Sequence, residues 1–224
     1  ATGIVPKDKY GRNTFRANAS KTLGDVEVSV NASYFNDKTE EAGDYMGDQD
    51  RPLYWFLLNT SANIPLSRYQ NWRTDKYSTP SGYYNGYYEN PYMNIDTNRD
   101  TDYSNRINAN VQVTWDITDF LNLTARTAVN NSWGHGKYWR KAITFDTEIK
   151  PTGSDISSYV TDMEFQNSEY VSDLLLTGNF NFLNNFSLKA ILGGTNRTSK
   201  YRDTYITALN LSIPDFYDIS NGTG

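Results

Sequence analysis

The stretch LLLTGNFNFLNNFSLKAILGG, residues 174–194, constrains this chain more than any other. Every second residue is apolar or small: Leu174, Leu176, Gly178, Phe180 and Phe182, then Phe186, Leu188, Ala190, Leu192 and Gly194 after a break at Asn184-Asn185. The intervening positions carry Thr177, Asn179, Asn181, Ser187 and Lys189. Alternation with period two over two long runs is the pattern of a hairpin of strands, each with one apolar face.

The pattern occurs twice more. Ile107, Ala109, Val111, Val113 and Trp115 alternate with polar residues, and after a turn at 116–119 so do Leu121, Leu123, Ala125, Thr127 and Val129. Nearer the start stand Phe15, Ala17 and Ala19, a Leu23-Gly24-Asp25 turn, then Val26, Val28, Val30, Ala32 and Tyr34. Three hairpins are therefore expected over about residues 12–36, 104–133 and 170–198. Each is closed tightly at one end. At the other end run long connections, about 37–103, 134–169 and 199–224.

Each run keeps its alternation for about 9 to 12 residues, against about 5 to 6 in an ordinary globular strand. Arg16, Glu27, Arg106, Arg126, Asp173 and Lys189 fall on the polar faces, and the apolar positions named above carry no charge. A charge facing lipid at the bilayer midplane costs about 2–4 kcal/mol, so lipid enforces such segregation. Aromatics gather at the strand ends: Trp115, Phe120, Phe180, Phe182 and Phe186 near the turns, and Tyr34, Trp133 and Tyr170 toward the long connections. The expected fold is all-β, an antiparallel up-and-down transmembrane β-barrel segment of about six strands. Six strands fall short of closing a large barrel. A soluble sandwich or solenoid whose apolar faces cover one another is the alternative that alternation leaves open.

Composition narrows the function classes. The formal net charge is −5 and the sequence pI about 4.9, which argues against nucleic acid as a partner. The absence of cysteine removes thiolate metal sites, catalytic thiols and disulfides. Mean hydropathy is −0.70, yet 15% of residues are aromatic, so the chain has too many packing groups for a disordered one. It opens on ATGIVPKDKY, without a charged n-region or apolar h-region, and closes on DISNGTG; a piece of something longer is expected.

The order of three segments is similar to a known family. FRANASKTLGDVEVSVNASYF, YYENPYMNIDTNRDTDYSNRINANVQVTWDITDFLNLTARTAVN and IPDFYDISN resemble the barrel of the SusC/RagA-like TonB-dependent outer-membrane transporters. The resemblance runs through Asn90-Pro91-Tyr92, Asn94 to Asn98, the Trp115–Leu123 hairpin and Pro214 to Asn221; Met93 stands where an aromatic often follows. It implies import of oligosaccharides or peptides across the outer membrane of a Gram-negative bacterium. The partners implied are outer-membrane lipid, TonB acting through a plug, and a SusD-like surface lipoprotein. The family's TonB box and plug have no counterpart within these residues, and no cofactor or bond chemistry is implied.

The long first connection is the richest candidate site. Ten of the 18 tyrosines lie between residues 38 and 103, five of them in SGYYNGYYENPY. Tyr joins a flat apolar face to a polar tip, which suits sugar rings, extended peptides and protein interfaces. Trp72, Tyr83, Tyr84, Tyr87, Tyr88, Tyr92 and Trp139 are accordingly the candidate substrate- or lid-contacting residues, with a self-packed loop as the plainer alternative. Arg16, Arg106, Arg126 and Lys189 are expected to face the lumen. The acidic run from Asp37 to Asp50 lacks the ligand spacing of a calcium loop. His135, the only histidine, sits between glycines that suggest a loop turn, and no metal or catalytic residues are expected. Gly193-Gly194 reads as a bulge or strand exit. Rival functions are a soluble secreted carbohydrate-binding β-sandwich module, an adhesive surface protein and a passive porin.

Overall fold

The computed structural model describes residues 3–43, 45–46, 49–50, 52–182 and 186–223. Six long strands form one antiparallel sheet in chain order: β1 (Lys9–Leu23), β2 (Val26–Ala42), β5 (Asn98–Thr118), β6 (Leu121–Arg140), β7 (Tyr159–Phe182) and β8 (Phe186–Leu209). Between β2 and β5 lie a short ladder, β3 (Tyr45–Met46) with β4 (Gln49–Asp50), and two short helices, α1 (Pro52–Leu58) and α2 (Pro91–Thr97). The sheet is open, with β1 and β8 at its edges.

The β1–β2 turn has two residues, with Leu23 paired to Val26 and Gly24 at φ 61°. Glycine takes that left-handed conformation without the Cβ penalty other residues meet, and two-residue hairpin turns demand it. Between β5 and β6 the register shifts at Asp116/Thr118, so Ile117 is a bulge residue beside the turn. The expected turn at Asn184-Asn185 lies outside the described residues; Phe182 pairs with Phe186 across it.

The register puts all three alternating patterns on one face. One row across the sheet reads Ala19, Val30, Val111, Thr127, Ser172, Asn196; two rows nearer the turns stand Leu23, Val26, Trp115, Leu123, Leu176 and Leu192. Because directly paired residues share a face, a one-residue slip anywhere would have broken this band. The band is uncovered even on the interior strands: Val30, Ile107, Val111, Trp115 and Leu174 are exposed, the last two at 47% and 53%. Each such side chain left in water forgoes about 1.5–3 kcal/mol of burial. No second sheet of comparable size covers it among the described residues, which removes the sandwich alternative.

One residue of the apolar face went unnamed, and two readings need correction. Lys21 pairs with Val28 and so lies on the apolar face, two residues from the turn, close enough to the end of the band for a lysine stem to reach past it. His135 is within β6, toward its loop end, stacked on Tyr103 at 4.8 Å, not in a loop. Its neighbour Gly134 is needed for close approach: a Cβ there would sit 2.7 Å from the Phe165 ring and 2.1 Å from the Tyr103 carbonyl oxygen. Gly193 and Gly194 are paired with Leu175 and Leu174 in unbroken register, neither a bulge nor an exit.

The strands also run past the ends that alternation suggests. Beyond the apolar band strict alternation is lost, with polar rows such as Thr101, Lys137, Asp162 mixed among aromatic and apolar residues, so the hydropathy signal vanishes while backbone pairing continues. The connections shrink to residues 43–97, 141–158 and 210–223.

Candidate functional site

The connections form a cap on the loop end of the sheet, held by two small cores. Trp72, Met93, Ile143 and Phe145 make one; Val5, Leu53 and Ile95 make the other. Asn90-Pro91-Tyr92 is a helix start rather than a free turn. Asn90 caps α2 by accepting from the Tyr92 amide at 3.0 Å, and Pro91 occupies a first-turn position where its missing N–H costs nothing. The same buried Asn90 donates through Nδ2 to the carbonyls of Tyr69 and Ser78, both at 2.8 Å, tying two loop segments to the helix. Met93 then points into the first core, fully buried.

Asp96 joins distant parts of the cap. Its carboxylate accepts from Trp72 Nε1 at 2.9 Å and Arg73 at 2.8 Å, and pairs with Lys7. Burial alone would raise its carboxyl; the hydrogen bonds from Lys7, Trp72 and Arg73 outweigh that and hold it below the usual range. Glu89 shows the reverse balance. It is buried between the loops, and burial pushes it up to about 7 although Lys150 and Arg140 pull it back. Lys150 is itself buried and lowered by that burial, against the pull of Glu89.

The seven aromatic candidates do not share one surface. Trp72 and Tyr83 are buried packing groups; Tyr83 meets Tyr84 and Tyr69 with ring centroids 4.7 and 5.1 Å apart. Tyr88 and Tyr92 are half-buried, Tyr88 between Trp55 and Phe56 and Tyr92 against the Trp72 core. Tyr84 and Tyr87 are exposed, Tyr87 at 85%. Trp139 lies on the apolar-face side of β6, away from these tyrosines, stacked on Tyr217 at 4.0 Å. The Tyr217 segment is held by another buried asparagine: Asn221 Nδ2 donates to the carbonyls of Ile213 and Phe216.

Sequence reasoning passed over Tyr54, Trp55 and Leu58, which α1 leaves exposed while Leu53 and Phe56 pack inward. The signal was there in PLYWFLL, an apolar run with no polar side to turn toward water. With Tyr77, Tyr84, Tyr87 and Phe216, Tyr54 and Trp55 give the cap exposed aromatic surface, and Leu58 adds to it an exposed aliphatic side chain.

On the polar face of the sheet, Arg16, Arg106, Arg126 and Lys189 all fall where alternation puts them. Arg126 donates to Asp173 through Nε at 2.8 Å, and Arg16 shares the Phe35 ring with Arg12. Arg106 stands among amides and hydroxyls from Asn108, Asn130, Ser132 and Asn167, with Glu169. Lys189 pairs with Asn179 close to the turn end. Higher up, a cleft of about 490 Å³ lies between Asp100, Tyr138, Arg140, Tyr159 and Thr207. This face can make hydrogen bonds and ion pairs to a polar solute or to protein packed against it.

No family model matches the sequence, and no curated protein matches it. Solved structures do. A chain of the RagAB peptide importer in its closed-closed state matches with a TM-score of 0.64 at 13% identity, over 97% of this chain and 23% of that one. The same importer in its open-open state matches with a TM-score of 0.64 at 14% identity over the same shares. The present chain thus spans less than a quarter of the length of the chains it matches, and at such identity the likeness is one of fold. What it establishes is architecture: an open, antiparallel, up-and-down sheet that is a segment of barrel wall.

Proposed function

We propose that this chain is a stretch of the wall of a SusC/RagA-like, TonB-dependent transporter in the outer membrane of a Gram-negative bacterium. One observation carries the reading: a band of apolar side chains that runs across all six strands, interrupted on β7 and β8 by Ser172 and Asn196, and is uncovered and backed by a polar face. Between Trp115 and Ile107 it is about nine residues deep, the length a tilted strand needs to cross a bilayer. The likeness to a peptide importer supports a transport role and, of the two substrate classes, peptides over oligosaccharides. A SusD-like surface lipoprotein is the lid in this reading, with Tyr84 and Tyr87 the cap tyrosines best placed to meet lid or substrate. TonB acts through a plug, and the protein performs no bond chemistry.

The test is a cysteine scan along one strand in the intact transporter, in outer membranes. Val111→Cys and Val113→Cys are expected to resist a membrane-impermeant maleimide and to react with a lipid-soluble one. Asn110→Cys and Gln112→Cys are expected to react with the impermeant reagent. Uniform labelling of all four positions would overturn the membrane assignment.

A further inference from the structure

Above the apolar band, on the same face of the sheet, a groove crosses β5, β6, β7 and β8. Asn105, Asn131, Trp133, Gln166 and Arg202 line it, with Glu164 and Thr204 at its upper end. It begins where the band ends. Val129 on β6 and Tyr170 on β7 close the apolar region on those strands, while on β8 it ends lower, at Leu192, with Asn196 and Thr198 between; the next rows upward are Asn131, Ser168, Lys200 and then Trp133, Gln166, Arg202. In the membrane-facing reading, on which this inference rests, that is the level of the lipid headgroups, where Trp and long cations concentrate.

The cations of this face differ in whether they are neutralised. Arg99 pairs with Asp8 at 3.0 Å, Lys137 with Asp162 at 3.1 Å, Lys9 with Glu40 at 4.0 Å, and Lys38 also with Glu40. Lys200 and Arg202 stand two residues apart on one face of β8, the edge strand of this sheet, and make no ion pair among the described residues. The one carboxylate in the groove, Glu164, lies a further row up, on the side of Arg202 away from Lys200.

We infer that this groove is a binding site for the phosphate-bearing headgroup of an anionic membrane lipid. Lys200 and Arg202 supply the charge, Trp133 the wall at the acyl boundary, and the amides of Asn131 and Gln166 the hydrogen bonds. The acyl chains would run down over Val129, Tyr170 and the band beneath.

The intact transporter carrying this chain, reconstituted in vesicles, tests the assignment with a bimane fluorophore on Thr204→Cys. Brominated phosphatidylglycerol is expected to quench it more than brominated phosphatidylcholine. Replacing Lys200→Gln and Arg202→Gln together should lower that preference by about tenfold. Equal quenching by the two lipids in the unsubstituted protein overturns the proposal. Relief of quenching by inorganic phosphate also overturns it, by assigning the groove to a free anion. A second bimane, on Val111→Cys, should be quenched alike by both lipids in every variant, which confirms assembly. Its failure to be quenched overturns the proposal together with the membrane-facing reading, whereas loss of lipid preference at Thr204→Cys alone leaves that reading standing.

Discussion

Trp139 and Tyr217 stack with ring centroids 4.0 Å apart and planes 22° from parallel, joining residues 78 positions apart in the chain. The contact fastens the segment 210–223 to the outer side of β6, with the Lys141–Asp215 pair at 2.7 Å beside it. Tyr217→Ala should therefore cost about 1–2 kcal/mol of local stability. Hydrogen exchange at the amides of Ser212, Asn221 and Gly222 should speed up accordingly, while Tyr217→Phe leaves exchange close to that of the unsubstituted protein. Equal exchange in the Ala variant would show that Asn221 alone holds the segment.

The Asp96 hub predicts acid sensitivity. Its carboxyl is held below the ordinary value, so the unfolded form takes up a proton at higher pH than the folded form does. Its contribution is present above the unfolded value of about 3.9 and is lost as pH falls through the folded one. Asp96→Asn should lower the melting of the cap at pH 7, by about 1–3 kcal/mol, and should flatten the acid limb of the profile.

Glu89 predicts the opposite slope in a different window. Burial raises it from an ordinary 4.5 to about 7, so its full contribution is present below the unfolded value and is lost as pH rises through 7. The shift corresponds to about 3 kcal/mol between those limits. Glu89→Gln should abolish that slope between pH 5 and about 7.5 in thermal melts. A slope unchanged in the variant would place the titrating group elsewhere.

A charge on either side of β5 should separate the two faces. Val111→Arg, in the middle of the apolar band, should cost about 2–4 kcal/mol and reduce the amount of folded protein recovered from outer membranes. Asn110→Arg, its neighbour on the polar face, should be recovered at close to the unsubstituted level.

The tyrosine cap divides into packing and surface groups. Trp72→Ala and Tyr83→Ala should destabilise the cap by about 3–5 kcal/mol. Tyr84→Ala with Tyr87→Ala should leave its melting within about 0.5 kcal/mol and instead weaken uptake or lid binding. Uptake unaffected by the second pair would remove these residues from the contact surface.

How much of this was written in the chain differs between its two parts. The wall was legible because one face must stay apolar while the other stays polar, and strict alternation is the direct record of that demand in residues such as Val26 to Ala32. Strand ends were not legible, because above the band neither face is constrained and only backbone pairing continues. His135 was misplaced for a related reason: glycine can signal a turn or close approach in a strand, and only the Phe165 ring over Gly134 distinguishes them. In the cap the composition was visible but not the roles. Nothing local separates buried Tyr83 from exposed Tyr84, since both pack on Tyr69, fourteen or more positions earlier, and only the fold decides which of them is covered.

The wall climbs from β1 to β8, from strands of 15 residues to strands of 24, so the cap rests on a rim of unequal height. Antiparallel ladder bonds lie across the strand axes. A pull along those axes would load the long β7–β8 ladder in shear, many bonds sharing the force at once. A sideways pull on the segment 210–223 would load Trp139–Tyr217 and Lys141–Asp215 in sequence, as in peeling. The molecule is thus stiff along its strands and yielding at the rim.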